Sequence, residues 1–242
     1  MIGQAMLMLL LSGQESATAA QSRPIAKNAE PVKPMLYKTA TPAARADAVR
    51  TMQRFSACVV SKIGPDKLNA YLRLPPGSSA SNSAMARIST DMCAPNRPGG
   101  GYELRFQPNV MRAALYDSLY RMRYRGGPVD ISRVPKFDFA SEFDAREEPL
   151  SGASFYFRSI GDCVARAKPA LAHDLLMTRQ GSKEEGAAIK AVVPSVAPCV
   201  PQGSTLRFSA PVLRGDIAEA LYKLSEAARG MPQAPAGKVE AK

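Results

Sequence analysis

The chain has 242 residues, enough for one large domain or two small ones. Its 45% hydrophobic and 22% charged residues are those of a folded globular protein and exclude disorder for the bulk of the chain. A net charge of +11 and a pI of about 9.7 keep such a protein soluble and put anionic partners first among its candidate ligands.

The chain opens on an apolar run, Ala5 to Leu11, followed by small residues with an A-x-A pattern in Ala17-Thr18-Ala19-Ala20. The run is far shorter than the roughly 20 residues that cross a bilayer. Residues 1–20 are therefore predicted to be a secretory signal peptide, although no Lys or Arg precedes the run. The first cysteine is Cys58, too distant to carry a lipid anchor on that run. No other segment is predicted to span a membrane. The expected compartment is periplasmic or extracellular. Residues 21–42, rich in Ala and Pro, are predicted to be disordered, as is the tail over 231–242.

Between these ends the sequence says nearly the same thing twice. Leu104–Met122 reads LRFQPNVMRAALYDSLYRM, and Leu206–Leu224 reads LRFSAPVLRGDIAEALYKL. Seven of nineteen positions are identical, against about one expected by chance. CVVSKIGPDKLNAYL after Phe55 likewise matches CVARAKPALAHDLL after Phe157. The chain therefore divides into unit 1 (43–125), an acidic linker (126–153) and unit 2 (154–230), the duplicated part of each being about 75 residues.

Each unit starts with a helix that ends near its first cysteine, with Val49, Met52, Phe55 and Val59 at helical spacing in unit 1. Pro65 and Pro169 fit the first turn of a second helix. In unit 2, Ser182 and Glu185 form a capping-box pattern before a short third helix. A short strand follows in YELRF or STLRF. A closing helix aligns Met111, Leu115, Leu119 and Met122, or Leu213, Ile217, Leu221 and Leu224, on one face. The shared Leu, Phe and Val of the doubled phrase read as core. The linker adds one predicted strand at Val134–Phe139. The predicted fold class is thus mainly α with short β-strands, α+β.

The four cysteines, Cys58, Cys93, Cys163 and Cys199, are separated in pairs by 35 and 36 residues. These matched gaps favour Cys58–Cys93 and Cys163–Cys199, each bridge contributing roughly 3–4 kcal/mol in the chain-entropy description. Free thiols fit a reducing compartment. A tetrahedral metal site would call for close pairs such as C-x₂-C, and none is present, so no metal or cofactor is expected.

No catalytic motif stands out. The lone histidine, His173, is expected on the exposed flank of a helix. Asp138, Glu142, Asp144, Glu147 and Glu148 lie in the linker, a poor scaffold for a general acid–base pair. The glycine-rich pieces RPGGGYE and YRGGPVD match neither nucleotide fingerprint.

The best candidate site is on the closing helix of unit 1. Arg112, Tyr116, Tyr120 and Arg123 project along one flank beside the apolar stripe, residue types suited to phosphate, carboxylate or sugar. The competing expectation is that this flank packs on another helix and that Arg112 and Arg214 bond a nearby carboxylate or backbone. Unit 1 carries eleven basic and four acidic residues over 51–125, net +7, against +3 over 154–230.

The C-V helix, the second Cys and then L-R-F with V-[ML]-R…[SA]-L-Y-[RK]-[ML] resemble uncharacterised exported bacterial proteins that carry such units in tandem. The resemblance covers about 150 residues and implies export and disulfides, with no activity attached. The expected function is a non-enzymatic binding or scaffold role in the cell envelope, with an anionic lipid headgroup or polysaccharide as partner and no nucleic acid. The alternative is a hydrolase-type enzyme with its site between the units.

Overall fold

The computed structural model describes residues 41–88, 93, 108–139, 142, 152–200 and 209–231. The expected signal peptide, most of the Ala/Pro-rich segment, the LRF strands and the tail after Met231 lie outside the described residues.

Among the described residues eight α-helices follow in chain order: α1 (Pro42–Ile63), α2 (Pro65–Leu72), α3 (Ser79–Ile88), α4 (Pro108–Arg123), α5 (Gly152–Ala167), α6 (Pro169–Met177), α7 (Lys183–Val192) and α8 (Ala210–Gly230). Two short 3₁₀ turns, Val193–Ser195 and Ala197–Cys199, follow α7. Among the described residues 76% are helical and none is in a strand. The α+β expectation is therefore corrected to an all-helical fold.

The linker shows why its strand fails. Val134 N–H turns back to the Ile131 carbonyl at 3.1 Å. The Val134 and Pro135 carbonyls accept from the Arg166 guanidinium of α5 at 2.7 and 2.6 Å. A ladder would need those carbonyls, and a guanidinium has taken them. Ile131, Val134 and Phe139 are buried, so this stretch is docked on the helices.

The helix ends follow local chemistry. α1 runs past Cys58 to Ile63 because Val59 and Val60 continue its buried face. Gly64, at φ +83°, takes the chain out of α1, and Pro65 opens α2 at a position where its missing N–H is no loss. Pro169 opens α6 in the same way. Ser182 Oγ accepts from Glu185 N–H at 3.2 Å, and the Glu185 carboxylate accepts from Gly181 N–H at 2.6 Å. This is the expected capping box, displaced outward by one residue. α3 has its own cap, with Ser78 Oγ accepting from Ser81 N–H at 3.0 Å.

α8 packs against both α4 and α5, and α1 packs on α4. Small residues let α8 approach closely. A Cβ on Gly215 would lie 2.5 Å from the Ala113 methyl of α4, and one on Gly161 of α5 would overlap the Asp216 backbone of α8. Residues from Phe55, Leu68 and Leu115 to Ile160, Leu175 and Ile217 belong to a single buried cluster. Thr41–Lys242 forms one compact unit.

Both expected disulfides are present. Cys58–Cys93 has a Cα separation of 5.6 Å and ties α1 to the chain after α3; Cys163–Cys199, at 5.8 Å, ties α5 to the second 3₁₀ turn. No described helix is long and apolar enough to cross a membrane.

Candidate functional site

The flank picked out on α4 points inward. Arg112, Tyr116 and Tyr120 are all buried. Arg123 is partly exposed and pairs with Glu226 of α8 at 2.8 Å. The correction has a plain cause: α4 packs against both α1 and α8, so a flank beside its apolar stripe also meets protein. Tyr120 Oη lies 3.0 Å from His173 Nδ1, with the rings edge to face. His173 is thereby buried, against the expectation of an exposed flank, and burial holds its pKa below the usual value. The shared valines fail in the opposite sense. Val110 and Val212, expected in the core, are 45% and 41% exposed at the starts of α4 and α8.

The arginines shared by the two phrases do one job at two places. Arg112 donates to the Leu72 carbonyl, and to the Leu74 carbonyl at 3.2 Å, at the end of α2. Arg214 donates to the Leu176 carbonyl at 2.8 Å and the Thr178 carbonyl at 3.1 Å, at the end of α6. Each satisfies the last carbonyls of a short helix and sets a cation at its negative end. Arg214 also donates twice to Oδ1 of Asp117 on α4, from Nε at 3.1 Å and from Nη2 at 2.9 Å, and both side chains are almost wholly inaccessible.

A second polar cluster lies where α4, α5 and α8 meet. Arg158 Nε donates to Glu219 Oε1 at 3.0 Å, and Lys223 Nζ donates to the same oxygen at 2.6 Å. Glu142 of the linker pairs with both cations. Burial raises the Glu219 pKa, but Lys223, Arg112 and Arg158 outweigh it and hold the carboxyl at about 2. Asp216 goes the other way. Burial and the nearby Glu219 push it up to about 7 against the pull of Arg158, and its Oδ2 is buried without a hydrogen-bond partner.

These groups hold helices together. Asp216, the described carboxyl pushed up to about 7, is half-buried on α8. Of the linker carboxylates, Asp144, Glu147 and Glu148 lie outside the described residues. Among the described residues no three His, Cys, Asp or Glu side chains group as a metal site.

The outer surface is different. The buried charge is nearly balanced, with Asp117, Asp162, Glu185 and Glu219 set against Arg112, Arg158 and Arg214. The positive excess of the chain is therefore carried outside the core. Over residues 54–88, which span the last ten residues of α1 and all of α2 and α3, Arg54, Lys62, Lys67, Arg73 and Arg87 are exposed, against one exposed acid, Asp66; Asp47, earlier on α1, is exposed as well. Sequence reasoning missed this surface because it followed aromatic and basic residues on one helix, whereas the cations left outside are spread over three. Their signal was only the net positive charge of unit 1. Compared with known proteins, the chain matches no family model, no curated protein and no solved structure.

Proposed function

We propose that this chain is an exported, non-enzymatic binding protein of the cell envelope that holds an anionic envelope component on the basic outer side of α1–α3. The observation that carries it is the excess of exposed cations there, set against an interior whose charges are engaged with one another. Export is supported by the two intrachain disulfides, which persist in oxidising compartments, and by the signal-peptide pattern of the first twenty residues. Duplication of one ancestral unit is supported by the matching work of Arg112 and Arg214 at the ends of α2 and α6.

The ligand chemistry is read by two parallel binding assays. The protein is sedimented with vesicles of an anionic phospholipid and, separately, passed over an immobilised acidic polysaccharide, each at low and high salt. Retention by one of the two that weakens as salt rises is the expected result. Retention by neither, or retention indifferent to salt, contradicts the proposal.

A further inference from the structure

Glu142 belongs to the acidic linker, yet its carboxylate ends among the helices. Oε2 meets Nη2 of Arg158 on α5, and Oε1 meets Nζ of Lys223 on α8. The same two cations are held from the other side by Glu219 of α8. The two glutamates differ in kind. The Glu219 side chain is 9% exposed and fixed on a helix, whereas that of Glu142 is 27% exposed and enters from outside the helices.

The surroundings suit a carboxylate. Arg158 Cζ lies 5.1 Å from the Phe139 ring centroid, and Lys223 Nζ lies 5.5 Å from that of Tyr116 and 5.9 Å from that of Phe139. A guanidinium and an ammonium side by side offer donors to both oxygens of one planar group. The helices also bring more positive than negative charge here. Arg112, Arg158 and Lys223 all act on Glu219, while Asp216, the other acid of the cluster, is pushed up to about 7 and is only partly ionised at neutral pH. A second carboxylate, that of Glu142, meets Arg158 and Lys223 beside Glu219.

We propose that Arg158 and Lys223, backed by Phe139 and Tyr116, form a carboxylate-binding site whose built-in occupant is Glu142 and which accepts the carboxylate of a small ligand in its place. The site is separate from the outer surface of α1–α3, so either assignment can fail alone.

The test is chemical rescue in the full-length chain. Glu142→Ala vacates the site. Acetate at about 100 mM should then raise the melting temperature of Glu142→Ala above its value in chloride of equal ionic strength, since a ligand of the folded state stabilises in proportion to ln(1 + [L]/Kd). The wild-type protein should melt alike in the two salts. Lys223→Met on the Glu142→Ala background should abolish the acetate-specific gain. An equal response of Glu142→Ala to acetate and chloride, or a gain that survives Lys223→Met, overturns the proposal. Saturation transfer to the acetate methyl protons gives a second readout independent of melting. It should be strong with Glu142→Ala and weak with wild type, and equal transfer to the two proteins also overturns the proposal.

Discussion

Arg214 shows what one buried cation does in this fold. It joins the ends of α6 to Asp117 of α4 and also reaches Glu185 of α7 at 3.1 Å. Arg214→Met would leave Asp117 buried without its main partner and expose the α6 carbonyls to nothing. A loss of about 3–5 kcal/mol in urea denaturation is expected, as for other buried pairs broken on one side. Arg214→Lys should recover little, because a point charge cannot replace a planar fork that serves three carbonyls and two carboxylates at once. Asp216 makes a prediction in pH. Its folded pKa, about 7, lies above the ordinary value of 3.8. The folded state therefore binds its proton more tightly, and the stability so gained is full below pH 4 and is lost as pH rises to about 7. Asp216→Asn cannot lose that proton. Its stability relative to wild type, followed by urea denaturation across pH, should grow between pH 4 and 7 and then level off; a constant difference would contradict the shift. The shared Arg112 and Arg214 could be seen in the sequence, and so could the idea that they bond nearby backbone. The burial of Tyr116, Tyr120 and His173 could not. Helical periodicity marks one apolar face, whereas polar side chains that find partners inside look in a sequence like side chains that face water.

Helix starts were legible wherever a residue has one strong local reason to be there. Pro65, Pro169 and Ser182 each mark one. α3 was missed because its signal is weak. It buries only Ser81 and Ile88 among its ten residues, and its cap, Ser78, lies in a run of serines. The strand expected at Val134–Phe139 fails for a reason the local sequence does not hold: Arg166, some thirty residues on, takes the carbonyls of Val134 and Pro135. Two glycines separate propensity from packing. Gly186 of α7 has open space around it, so Gly186→Ala should stabilise by up to about 1 kcal/mol through helix propensity. Gly215→Ala gains the same propensity but drives a methyl against Ala113, and its melting temperature should fall. The double variant Ala113→Gly/Gly215→Ala should recover much of that loss; if Gly215→Ala alone stabilises, the close crossing of α4 and α8 is wrong. The disulfides add a third check. Cys163→Ala/Cys199→Ala opens a loop of 36 residues and should lower stability by about 3–4 kcal/mol, measured by denaturation under non-reducing conditions.

Taken together, the charges of the protein are sorted by place. Inside, Asp117 and Glu219 organise Arg214, Arg158 and Lys223 in nearly balanced clusters, and over residues 54–88 the cations stay outside. The total of +11 was evident from composition, but its sorting was not, because it depends on which acids the packing of α4, α5 and α8 encloses. The decisive experiment compares wild type with Lys62→Glu/Lys67→Glu/Arg73→Glu in binding to whichever anionic target, vesicle or polysaccharide, retains the wild-type protein. These positions are exposed, so the variant should melt close to wild type. Its affinity should fall at least tenfold and its salt dependence should flatten. Undiminished binding by a folded variant would contradict a role for the outer side of α1–α3.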